Sequence, residues 1–133
     1  MARLDDECTG SAAVELALVL PLVLMMALAV LQVGLLAKDS LVVVQAAREG
    51  AREAAVTWDE ARVRQAALRG GGGLAEERTE VEVERAGEMG DPVTVRVRYR
   101  SPLVVPFVEW LFPDEVLLRS VATMRQETAE AAT

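Results

Sequence analysis

TGSAAVELALVLPLVLMMALAV, residues 9–30, is the stretch on which the reading of the whole chain turns. From Leu16 to Ala37 there are 22 residues without a charge, interrupted only by Pro21, Gln32 and Gly34. A helix of that length spans about 33 Å, enough for the hydrocarbon core of a bilayer. A buried core helix carries a polar stripe, and this run has none, so the composition predicts a membrane-spanning or membrane-inserted helix. One carboxylate, Glu15, stands at its entrance, five residues after Gly10 and four after Ser11. Pro21 falls in the second turn of the apolar run, where its missing N–H loosens the helix locally.

The flanks argue against a removable secretory signal. Residues 1–10 offer Arg3 against Asp5, Asp6 and Glu7, whereas a signal peptide opens on a basic segment. An Ala27-Leu28-Ala29 site is followed by further apolar residues, and Cys8 precedes the apolar run, where a lipoprotein signal would need it at the end. Basic residues near the two ends, Arg3 against Lys38, Arg48 and Arg52, taken alone favour the C-terminal part on the cytoplasmic side.

The totals narrow the chemistry. At 133 residues the chain has room for one small domain beyond the span. A net charge of −7 does not fit nucleic-acid binding, which calls for a basic surface. With no histidine and the single Cys8, there is no internal disulfide, no zinc site and no Ser-His or Cys-His nucleophile pair. The glycine run RGGGG, residues 69–73, is followed by Leu74-Ala75-Glu76, so it lacks the Gly-Lys-Ser/Thr of a phosphate loop and reads as a helix stop and hinge. No pair of acids stands out in an apolar setting. Neither an enzyme nor a cofactor nor a small-molecule substrate is expected.

Beyond the span, residues 38–69 contain no proline and much alanine. Positions 44, 47, 51, 54, 58, 61, 65 and 68 are apolar except for Gln65, at spacings of three and four, which predicts an amphipathic helix. The opposite face carries Arg48, Glu49, Arg52, Glu53, Glu60, Arg62 and Arg64, with Glu60 and Arg64 placed for an i,i+4 pair. Gly50 weakens this helix without breaking it. A continuous helix from Ser11 to Leu68 would be about 87 Å long.

The period then changes to two. In TEVEVER, residues 79–85, Val81 and Val83 share a face against Glu80, Glu82 and Glu84. In VTVRVRYR, residues 93–100, Val93, Val95, Val97 and Tyr99 alternate with Thr94, Arg96, Arg98 and Arg100. The turn formers of AGEMGDP between them predict a hairpin. Pairing Glu82 with Arg98, Glu84 with Arg96 and Glu80 with Arg100 suggests its register and makes the Arg row a solvated, charge-matched face. A third strand, residues 116–127, places Leu118, Ala122 and Met124 on one side and Leu117 and Val121 on the other. The segment 102–115, with Phe107, Trp110 and Phe112, reads as aromatics packed on the sheet or helix, or as a loop contacting a membrane surface or partner. Strands this few need a helix to pack on, and the alanine stripe provides it.

A long N-terminal helix backed by a small antiparallel sheet resembles the architecture of type IV pilins. GSAAVELALVLPLVLMMALAV followed by QAAREGAREAA is similar to the TadE-like family of pseudopilins from tight-adherence (Flp) pilus systems, and the VATMRQE segment resembles the family's endings. The resemblance implies a leader, residues 1–10, cut between Gly10 and Ser11 by a membrane aspartyl prepilin peptidase, which takes the net charge from −7 to −5 by removing one base and three acids. It implies a docking role for Glu15 toward the N-terminal amine of a neighbouring subunit. It also implies a cytoplasmic N-terminus, an extracytoplasmic C-terminal region, and other pilin subunits and pilus assembly machinery as partners. The resulting expectation is an α+β chain: leader 1–10, transmembrane helix 11–37, amphipathic helix 38–69, Gly-rich hinge 70–78, a β region of about three strands over 79–127, and a disordered tail 128–133. The residues by themselves also admit an uncleaved single-pass accessory or sensor protein with a partner-binding extracytoplasmic module.

Overall fold

The structure, a computed structural model, describes residues 4–87, 89–104 and 115–127, with side chains from residue 10 onward. Its elements are helices α1 (Leu4–Val56) and α2 (Glu60–Gly70), a 3-10 turn at Glu76–Arg78, and strands β1 (Thr79–Arg85), β2 (Pro92–Pro102) and β3 (Glu115–Arg125). The chain divides into two compact units, Met1–Gly34 and Leu35–Thr133. The expected α+β arrangement is present: the long N-terminal helix packs, over its part in the second unit, on a three-stranded antiparallel sheet of order β1-β2-β3. The aromatic segment around Phe107, Trp110 and Phe112 and the tail 128–133 lie outside the described residues.

The core of the second unit is made of small side chains. Val43, Ala46, Ala47, Ala51, Ala54 and Ala55 of α1 meet Val63 and Ala67 of α2 and Val93, Val95, Val97 and Tyr99 of β2. Alanines bring a helix close to its neighbours, and Gly50 marks a place where three elements crowd together. A Cβ there would lie 3.0 Å from Val95 Cγ1 and 3.1 Å from Ala67 Cβ, touching sheet and second helix at once. The glycine that weakens the helix by sequence alone is what lets three elements meet.

The single helix expected over 38–69 is instead two. α1 ends at Val56, and Asp59 starts α2 by accepting from the backbone N–H groups of Ala61 (2.9 Å) and Arg62 (3.3 Å). Such a cap stabilises a helix start by about 1 kcal/mol. The break turns α2 back along α1 and brings Val63, Ala66 and Ala67 into the core, where a straight shaft would leave them in solvent. The apolar stripe keeps its phase through Ala54 and then loses it, since Ala61 and Gln65 are exposed. No Glu60–Arg64 bridge forms among the described residues; Arg62 reaches across the break to Glu53 at 2.7 Å. The glycine run does stop the helix, with Gly71 donating to the Ala67 carbonyl. Its first residue is packed, however: a Cβ on Gly70 would lie 2.8 Å from Glu49 Cβ and Cγ.

The hairpin forms where the alternation places it, two residues out of the expected register. Glu80, Glu82 and Glu84 stand opposite Arg98, Arg96 and Thr94. A slip of two preserves both faces, and this register sets Val81 and Val83 against Val97 and Val95 and closes the turn with Ala86 N–H on the Pro92 carbonyl. The anticipated charge pairs form all the same, on the diagonal: Arg98–Glu82 at 2.8 Å, Arg100–Glu80 at 2.9 Å, and Arg96–Glu84. An arginine is long enough to reach the diagonal neighbour on an antiparallel pair. On β3, Val116, Leu118 and Ala122 turn toward the helices, while Leu117, Arg119 and Val121 are exposed.

Two polar contacts fasten α1 to the sheet. Near the start of the unit, Ser101 Oγ donates to Asp39 Oδ2 at 2.8 Å. At the far end, Arg85 donates to the carbonyls of Ala54 (2.9 Å) and Thr57 (2.8 Å) and to Gln126 Oε1, and its guanidinium lies 4.7 Å from the Trp58 ring centroid. The Ala55 carbonyl takes the N–H of Glu127 (2.8 Å) and the Gln126 amide (3.2 Å). Burial holds the Arg85 guanidinium below its ordinary range, opposed by the nearby Glu60 charge, and arginine remains protonated throughout.

Two substitutions test this account. Gly50→Val adds bulk at the three-way contact and should cost about 1–3 kcal/mol, seen as a lower urea midpoint for the detergent-solubilised chain. Arg85→Met keeps the aliphatic stem but strips the donors, and should cost about 1.5–3 kcal/mol by the same measurement, with Arg85→Lys recovering part of the loss.

Candidate membrane and assembly segment

In the first unit α1 is helical through Gly10, Ser11 and Glu15, so the three candidate residues lie on one continuous helix. Ser11 and Glu15, four residues apart, share a side of that helix. Glu15 is exposed, and none of the described residues covers it. A Cβ on Gly10 would meet nothing within 4 Å. Glycine is the poorest helix former after proline, so Gly10 weakens the helix locally at the Gly10–Ser11 junction.

Every residue from Ser11 to Ala27 is exposed, including leucines and methionines that a water-soluble fold would bury. This is the one helix among the described residues long and apolar enough to cross a membrane, and none of its most apolar window is buried by the rest of the chain. Continuous exposure of large apolar side chains on all sides of a helix fits a lipid environment. The helix passes through Pro21 without a break. Proline leaves the carbonyl four residues earlier, that of Ala17, without its usual backbone donor.

Among the described residues, the second unit carries no comparable surface. Its clefts are open, such as the one between α1 and α2 lined by Glu49, Arg52, Glu53 and Arg69. The residues that fasten its helix to its sheet escaped the sequence reading, although one of them left a trace. Arg85 has the parity of Val81 and Val83, which places it on the core side of β1, where an unaccompanied arginine needs acceptors. The Asp39–Ser101 contact joins residues 62 positions apart and left no such trace.

The model of the TadE-like protein family matches residues 10–52, which is 43 of the chain's 133 residues and takes in the junction, Glu15, the uncharged helix and the first part of the alanine face. Comparison with curated proteins and with solved structures gave no match. Over residues 10–52, about a third of its length, the chain is similar to the TadE-like proteins.

Proposed function

We propose that this chain is a single-pass membrane protein acting as a TadE-like minor pilin or pseudopilin in the assembly of a tight-adherence pilus, a structural role without catalysis. The observation that carries this reading is where the family match begins. It starts at Gly10, the residue before the proposed cut, and runs through Glu15 and the exposed apolar helix. Cleavage between Gly10 and Ser11 by a prepilin peptidase leaves a new amine one helical turn from Glu15. A carboxylate within a bilayer costs about 2.5–3.5 kcal/mol at the centre and less near an end, so Glu15 gains from a cationic partner. The amine of a neighbouring subunit supplies one, and the pair sets how far one subunit stands from the next along the membrane normal. The N-terminus lies in the cytoplasm, and the unit from Leu35 onward lies outside, available to other subunits and to the assembly machinery.

Three measurements test this. Mass spectrometry of the chain from its own cells should find Ser11 at the N-terminus; an intact Met1 would instead favour an uncleaved single-pass accessory or sensor protein. Glu15→Ala should leave the chain in the carbonate-resistant membrane fraction while lowering pilus assembly, and unchanged assembly would remove the docking role. Leu24→Arg, at the middle of the apolar run, should cost about 2.5–3.5 kcal/mol of insertion and release the chain from that fraction.

A further inference from the structure

β1 and β3 are the two edges of the sheet, and among the described residues neither has a strand on its outer side. β1 is guarded by Glu80, Glu82 and Glu84, the usual protection of an open edge. β3 is not. It pairs with β2 over eleven residues without a proline or an interruption in the ladder, and it exposes Leu117 and Val121 on either side of Arg119. Arg119 stands directly opposite Arg98, an unfavourable cross-strand pairing. Arg98 is compensated by Glu82 and Glu80 at 2.8 and 3.9 Å, whereas Arg119 makes no ion pair among the described residues.

We infer that the β3 edge takes the β1 edge of a second copy of this chain, strand parallel to strand, with Arg119 paired to the glutamate row of that copy. With the helices of both copies on the same side of a continued sheet, only three edge contacts exist. β1 against β1 is antiparallel and sets glutamates against glutamates. β3 against β3 is also antiparallel; centred on Ser120 it matches Glu115 with Arg125 but leaves Arg119 beside Val121, without an acid. It also turns one copy end for end. The chain comes into the unit near Asp39, which is held by Ser101 beside the start of β3, so the inverted copy would be anchored from the opposite end. Two copies in one bilayer cannot be anchored so, an argument that rests on the membrane-spanning reading of residues 16–37.

β3 against β1 keeps both copies in the same sense, because the two strands run the same way through the sheet. Continuing the rows straight across sets Glu80 of the second copy beside Arg119, with Glu82 of that copy on the diagonal. That repeats what β1 already does for Arg98. On the other face, Val83 of the second copy falls beside Ala122, and Val81 of that copy falls beside Ser120, on the diagonals of Leu118 and Ala122. The contact is heterologous, so each copy added leaves the same two edges open.

Disulfide trapping in native membranes tests this with two tagged full-length chains in a Cys8→Ser background. One carries Thr123→Cys on β3 and the other Glu84→Cys on β1, positions in one row of the sheet that leave Arg119, Glu80 and Glu82 in place. The expected result is a mixed-tag disulfide when the chains are co-expressed, with little from either chain alone, and a loss of about five-fold in its yield when Arg119→Glu is added. Arg119→Glu is a surface change, and an unchanged urea midpoint will show that the lost yield is not unfolding. A same-tag dimer of the Thr123→Cys chain, or no disulfide above the single-chain background, would overturn the inference. Carbonate extraction of the same membranes reports separately on the membrane reading, so failure of one is not mistaken for failure of the other.

Discussion

The last carbonyls of a helix have no donors within it, and in this chain the end of α1 finds them in the sheet. Arg85, from the end of β1, serves Ala54 and Thr57; Gln126 and Glu127, just past β3, serve Ala55. A cation at a helix C-terminus is favourable for the dipole as well as for the hydrogen bonds. Both edge strands are thereby tied to one helical turn, and β2 is held between them by its ladders. The Asp39–Ser101 bond fastens the other end of the same helical stretch. Between the two fastenings, the helix has to lie flat on β2 over the whole alanine face. α2, tied to α1 through the Arg62–Glu53 bridge and capped by Asp59, closes over the same core.

Much of this was legible where a short-range rule governs. The uncharged run at 16–37 could only be a helix in an apolar setting, and the two-residue alternation at 79–85 and 93–100 could only be a hairpin with its valines turned to a helix. The charge pairs across that hairpin were foreseeable from the sign pattern, and they tolerate a register shift because arginine reaches diagonally. Glu15 stood out for a different reason, a carboxylate at the entrance of an apolar run, while Gly10 and Ser11 were marked by the resemblance. What stayed hidden depends on chain reversal. Thr57-Trp58-Asp59-Glu60 contains a helix-start signal in Asp59, yet the alanine stripe on either side is regular enough to carry the periodicity straight through it. Once the break is missed, the inward face of residues 60–68 is assigned wrongly. A long-range contact such as Asp39 with Ser101 leaves no mark in any local window.

The two units divide the physical tasks. The first presents apolar side chains in all directions and has one acid at its entrance, so its neighbours are lipid or other apolar helices. The second presents charged side chains, many of them paired across the hairpin, and packs its own core of alanine and valine. On the outer face of the sheet a column of glutamates matches a column of arginines, while Arg119 and Arg125 of the third strand make no ion pair among the described residues. The pairing thus stops at the third strand, the edge proposed to take another copy.

The alanine and valine core has a consequence for how this protein can change. Removing a methyl group from Ala47 or Ala51 leaves little cavity, and its cost is mainly that of a glycine in a helix interior, about 0.5–1 kcal/mol. Adding atoms is different, because helices already drawn together at Gly50 have no slack to return. Variation at these sites is therefore one-sided: side chains may shrink across the helix–sheet seam, and growth is confined to the strands' outer face and the exposed side of α2.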